Sequence, residues 1–351
     1  IGFGVVQNLK IIWLLLITLL FLACTTLPEP EMKTLTLAYD PHPDSRLAAV
    51  SRNLIKDMDE GKSSFFKLFR NDDAMRWRLL LADSAEETLD MQYFIWKGDA
   101  SGELLLDRVI KAADRGVRVR ILVDDIYLLG TDLTIAALSQ HPRIEIRMFN
   151  PAQRRTNSIV VRGLEMMGNV EQLNQRMHNK LIVADNHFAI VGGRNIGNEY
   201  FGLNRKQNFT DFDVLAVGPV AKKVSASFDI YWNNQWAYPG EALLQNYKDQ
   251  DLFPLLLEAL QERLMKNENL LEEFQEQYQD WDKMLRILAD NKKGGTARVI
   301  YDEPLIGEKI PPAQLIESIE ELTDDTRQEL LISTPYFIPD DDFYEPVAGL
   351  I

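Results

Sequence analysis

Two apolar, β-branched-rich runs, Leu181-Ile182-Val183 and Phe188-Ala189-Ile190-Val191, flank Asn186-His187. Such runs around two turn-forming residues specify a β-hairpin, and with it a strand register. Side chains alternate faces along a strand, so His178 and Lys180 point the same way, about 7 Å apart. A two-residue turn sets Asn195 opposite His178 and Gly193 opposite Lys180. Cross-strand partners share a face. One surface then carries an imidazole, an ammonium and a carboxamide, with a gap free of side chains beside the lysine. A nucleophile, a cation and a hydrogen-bond donor together can cradle a phosphate. Asp185 has the opposite parity and is expected to point away and act from behind, unless a bulge intervenes.

The same residues read H-x-K-x4-D-x6-G-G-x-N. That spacing resembles the HKD motif of the phospholipase D superfamily. Met177 to Lys180, Val191 to Phe201 and Asp211 to Val214 resemble the bacterial cardiolipin synthase branch, in particular its third, shorter type. The likeness runs continuously over residues 70–240. It implies an α/β fold: a phospholipase D-like αβα sandwich with a mixed, largely parallel sheet. It also implies roles. His178 attacks a phosphodiester and becomes a phosphohistidine. Lys180 and Asn195 hold phosphate oxygens, beside the backbone of Gly192 and Gly193. Asp185 completes the motif, and Asp211 orients the histidine, with Asp213 as the competing choice. No metal or other cofactor is needed for this chemistry. The implied activity is phosphatidyl transfer to phosphatidylglycerol at a membrane surface. The alternatives are a hydrolytic phospholipase D, a secreted nuclease, and a non-catalytic lobe that binds anionic head groups.

Charge bears on these alternatives. The net charge is −15, and a field of that sign repels nucleic acid, whose binding leans on Lys and Arg. No nucleic-acid partner is expected. The region around the motif is different. From Arg154 to Lys206 there are eight basic and four acidic residues, a locally positive stretch that suits a small anionic head group. The chain has a single cysteine. It follows an apolar run, Ile11 to Leu22, that is too short for a bilayer span of about 20 residues and has the length of a secretory core. Phe21-Leu22-Ala23-Cys24 resembles a bacterial lipobox, which implies lipidation at Cys24 and a membrane-anchored body on the periplasmic side. The alternative is an uncleaved anchor.

Residues 1–24 are thus read as a signal or lipoprotein-type segment, and 25–45 as a Pro- and Thr-rich tether. Residues 46–240 form the first lobe. Within it, helical spacing falls at 46–58, 71–84, 102–115 and 133–140, and strands at 89–96, 117–123 and 144–149. Strand, helix, strand at this spacing is a βαβ unit. Ser63 to Phe69 has no clear period and is left open between a strand, a loop over the site and a membrane-contact patch. The Asp124-Asp125 pair at a strand end is read as a polar turn and not as a metal site. Residues 241–295 are read as an acidic, solvated helical connector ending in a Lys-Gly linker.

From residue 296 the pattern begins again. Tyr336-Phe337-Ile338 repeats Tyr93-Phe94-Ile95 after a helix and a strand, at a separation of 243 residues. The expectation is one complete lobe plus the incomplete start, 296–351, of a duplicated second lobe. In the resembling family the second lobe brings a second HKD motif, which protonates the leaving alcohol. A chain with one motif is expected to have little activity alone.

Overall fold

The computed structural model describes residues 33–125, 131–152, 176–276 and 281–302, together with 304, 317, 318 and 321. The lipobox-like stretch, Met166-Met167 and nearly all of 303–351 lie outside the described residues.

The elements in chain order are α1 (Arg46–Ile55), β1 (Ser63–Leu68), α2 (Asn71–Ser84), β2 (Thr88–Tyr93), α3 (Ala100–Asp114), β3 (Arg118–Asp124), α4 (Asp132–Leu138) and β4 (Ile144–Phe149). The motif hairpin follows as β5 (Leu181–Ala184) and β6 (Phe188–Gly192), then β7 (Asp213–Val217), α5 (Pro219–Trp232) and β8 (Ala237–Pro239). The last described elements are α6 (Gly240–Leu243), α7 (Phe253–Lys266), α8 (Glu268–Glu276), α9 (Trp281–Asn291) and β9 (Lys293–Gly295). The open segment 63–69 is therefore a strand.

The nine strands among the described residues join one sheet in the order β8-β4-β3-β2-β5-β6-β7-β1-β9. The α/β sandwich agrees with expectation, but the strand directions correct it. Only β2–β3 and β3–β4 are parallel. The other six pairings are antiparallel. The reason is local. Two βαβ crossovers build the parallel part, whereas the short hairpin turn can only return antiparallel, and β7 and β1 inherit that direction.

Strand alternation feeds two hydrophobic layers. Ile182 and Ala184 enter the layer covered by α2, α3 and α7, while Leu181 and Val183 enter the layer under α5. The acidic segment does not stand free in solvent as a connector. Leu256 and Leu260 of α7 and Leu271 and Phe274 of α8 are buried in the first layer. Glu273 pairs with Arg76 of α2, and Arg263 with Glu103 of α3. The acids face water because the leucine stripe does not. The Lys-Gly linker is a strand, β9, hydrogen-bonded to β1.

Candidate active site

The hairpin turn holds three residues, Asp185 to His187, and so corrects the two-residue expectation. Ala184 pairs with Phe188, and Leu181 with Val191. Asp185 and Asn186 both take positive φ, 49° and 54°, which Asp and Asn tolerate better than most residues. The His187 N–H closes the turn on the Ala184 carbonyl. Register thus moves by one residue. Gly192, not Gly193, lies across from Lys180, to whose carbonyl its N–H donates at 3.3 Å. Gly193 instead donates to the Phe212 carbonyl, and Asn195 lies beyond the end of β6.

Despite the shift, His178 and Lys180 meet over one side chain. The Phe94 ring centroid lies 4.8 Å from that of His178 and 5.4 Å from the Lys180 ammonium. Phe94 follows β2, the neighbour of β5, so the sheet itself delivers this floor. His178 is exposed, whereas Lys180 is 5% exposed. Desolvation, then the Lys180 charge, holds the imidazole below its usual pKa. The ring is therefore neutral and nucleophilic near pH 7. Burial pulls Lys180 down to about 8, against the opposing pull of Asp211 and Asp213. Its ammonium donates to the His178 carbonyl.

Asn195 is fixed at both ends of its carboxamide. Its Oδ1 accepts from the Ile95 N–H at 3.1 Å, and its Nδ2 donates to the Tyr200 hydroxyl at 2.9 Å. An amide nitrogen has two hydrogens, so one is left for a ligand. Asp211 accepts from the Phe212 N–H at 2.7 Å and lies over Gly193. Among the described residues no hydrogen bond joins Asp211 to His178. Asp213 is committed elsewhere. Its carboxylate pairs with Arg78 at 2.9 Å and Arg194 at 3.2 Å, in a fully buried cluster. Asp185 sits at the far end of β5 from Lys180. Its carboxylate accepts from the N–H groups of Glu86, Glu87 and Thr88, and so pins the turn to the start of β2.

The two glycines have separate reasons. A Cβ on Gly192 would sit 2.6 Å from the Asp213 Cα and the Phe212 carbonyl oxygen, which are backbone atoms. One on Gly193 would sit 2.1 Å from Asp211 Oδ1, the end of a side chain that can swing. Gly192→Ala is expected to destabilise the protein by about 1–3 kcal/mol. Gly193→Ala is expected to keep its melting temperature within a few degrees while displacing the Asp211 carboxylate. Thermal unfolding of the pair checks this, and equal losses would show that Asp211 cannot move aside.

Sequence reasoning missed Phe94 and Tyr200 as site residues. Phe94 entered the reading only through a strand and the Tyr93-Phe94-Ile95 repeat, and Tyr200 only within the stretch Val191 to Phe201. It also left Arg78 and Arg194 unassigned.

The family model described as "Cardiolipin synthase, PLD-like domain" matches residues 80–232. Over those residues the chain is similar to the phospholipase D-like domain of cardiolipin synthases. Cardiolipin synthase C of Escherichia coli (strain K12) is 45% identical over 172 residues, which is 49% of this chain and 36% of that protein. An uncharacterized protein of Helicobacter pylori (strain J99 / ATCC 700824) is 30% identical over 303 residues, 86% of this chain and 59% of that protein. The chain therefore spans between about a third and three fifths of the length of these relatives. Among solved structures, a phosphatidylserine synthase of Haemophilus influenzae Rd KW20 aligns with 86% of the chain and 63% of its own, at a TM-score of 0.48 and 15% identity. The domain match starts inside α2 and ends with α5. It includes every motif residue named above. No helix among the described residues is long and apolar enough to cross a membrane.

Proposed function

We propose that this phospholipase D-like domain is the nucleophile-bearing lobe of a phosphatidyltransferase that makes cardiolipin. The observation that carries the reading is the shared Phe94 floor, which sets an exposed neutral imidazole beside a buried ammonium. A ring nitrogen of His178 attacks the phosphorus of a phosphatidyl donor, and the bond to the leaving alcohol oxygen breaks. Lys180 and the free Asn195 N–H stabilise the charge that builds on the phosphoryl oxygens. The hydroxyl of phosphatidylglycerol then attacks phosphorus, the N–P bond breaks, and the imidazole is regenerated. Asp211, 33 residues past His178 and packed over Gly193, is the residue to which the family resemblance gives the role of orienting the imidazole.

The leaving oxygen needs a proton and the incoming hydroxyl must lose one. The sequence holds one H-x-K, at His178, so a second acid has to be supplied, and turnover of these 351 residues alone is expected to be low. Lipidation at Cys24 would hold the lobe at a membrane on the periplasmic side, where its phospholipid substrates lie.

The test is a single-turnover experiment with the 351-residue protein and phosphatidylglycerol in mixed micelles. Expected are a phosphatidyl adduct on His178 with one equivalent of glycerol released, followed by cardiolipin, read by peptide and lipid mass spectrometry. Phosphatidic acid without cardiolipin would make the domain a hydrolase. Binding of anionic lipid with no adduct would leave it a recognition lobe.

A further inference from the structure

The segment that enters the motif is held by the ends of the two parallel crossovers. Asp124 is the last residue of β3 and pairs in register with Phe149, the last of β4. The Asp124 carboxylate is fully buried. Its Oδ2 accepts from the Met177 N–H at 3.1 Å, and its Oδ1 lies 3.2 Å from Arg176 Nη1. The same Nη1 donates to the Asn150 carbonyl at 3.0 Å. Asn150 is itself fixed, at φ 48°, with its N–H on the Trp236 carbonyl. Asp125 repeats the device one residue on, accepting from the Ala152 N–H at 2.8 Å. Met177 drives its side chain into the layer under α5, beside Leu122 and Phe149.

Both residues before His178 are thus fastened, one by charge and one by backbone and core, while the next side chain faces solvent. A nucleophile needs this combination: a fixed root and an exposed ring. We infer that Asp124 is a positioning residue for His178, holding the imidazole over Phe94 through a clamp on Arg176 and Met177. This assigns a role to the first member of an acidic pair that is otherwise only a polar strand end. The inference rests on His178 as the proposed nucleophile, but its primary readout needs no turnover.

The experiment is NMR titration of the histidine ring protons in the full chain, with His42, His141 and His187 as internal references. In the wild type, His178 titrates below 6.5 and shows ring-current displacement from Phe94. In Asp124→Ala the midpoint is expected to rise toward 6.5 and the displacement to disappear, the other three histidines staying in place. Asp124→Asn keeps an acceptor for the Met177 N–H and is expected to recover the wild-type signal. Adduct yield from the single-turnover assay should fall about 100-fold in the alanine variant. Should Asp124→Ala not fold, Arg176→Ala carries the test, with a shift in the same direction. An unmoved His178 resonance in the folded variant overturns the clamp. A moved resonance in a protein whose wild type forms no adduct supports the clamp and sinks the proposed function instead.

Discussion

Asp213→Ala should lower the stability of the folded protein by about 3–5 kcal/mol. The carboxylate is the counter-charge of two guanidiniums at once, Arg78 at 2.9 Å and Arg194 at 3.2 Å, and all three side chains are buried. Each arginine has further acceptors. Arg78 donates to the Tyr93 hydroxyl and the Ala74 carbonyl, and Arg194 to the Leu68 and Phe69 carbonyls. Those are dipoles, and they do not neutralise two positive charges placed side by side in a dry interior. Proteins of this size are stable by only about 5–15 kcal/mol, so the loss is a large share of the total. Urea unfolding followed by circular dichroism measures it. A cost below about 1 kcal/mol would mean that water or another acid compensates the pair. Asp211→Ala, on a half-exposed carboxylate two residues away, is the control and should cost far less.

The second large effect concerns chemistry. His178→Ala removes the imidazole that attacks phosphorus in the proposed mechanism, and adduct formation in the single-turnover assay should fall by about 10⁴-fold or more. Folding should be untouched, because the ring is exposed. The wild-type rate should trace a bell against pH. The imidazole must be unprotonated to attack, and its pKa is held below 6.5 by desolvation and Lys180, so the acid limb lies below that value. The lysine must be protonated to stabilise the phosphoryl oxygens, and burial has brought its pKa down to about 8, so activity should decline as pH rises through 8. Measuring kcat/KM across pH 5–10 checks both limbs. An alkaline limb near 10.5 would mean that Lys180 is hydrated and not buried. Lys180→Arg should remove that limb while lowering the rate, since guanidinium does not deprotonate in this range.

Part of this site was legible in the sequence because the motif residues flank one hairpin: His178 and Lys180 lie just before β5, and Gly192 to Asn195 at and just past the end of β6. His178 and Lys180 share a surface as parity requires. Parity failed where the turn departed from the two-residue rule. Asp185 and Asn186 tolerate left-handed backbone, and the clamp of Asp185 on the 86–88 backbone selects the longer turn, a contact between segments about 100 residues apart that no local reading contains. Asp211 was the residue that the resemblance implied, with Asp213 as the competing choice. No local pattern shows that Arg78 and Arg194 reach Asp213 from α2 and from the turn after β6 and commit its carboxylate to ion pairs. The parallel content of the sheet was overestimated because helix-strand alternation is an obvious signal in the first half of the chain, while β1 and β9, which extend the antiparallel half, have weak patterns. The acidic count of residues 241–290 suggested solvent on all sides, and the leucines of α7 and α8 decided otherwise.

One consequence of β1 reaches beyond the site. This strand lies between β7 and β9, outside the span that sequence comparison marks as the domain, and its last carbonyl satisfies Arg194. A protein cut to residues 80–232 would keep every motif residue yet lose most of α2, all of β1, which pairs with β7, and the Leu68 and Phe69 carbonyls that accept from Arg194. The smallest piece able to refold by itself is therefore wider than the stretch that carries the chemistry. It must start before Ser63 and run on through the helices that close over α3.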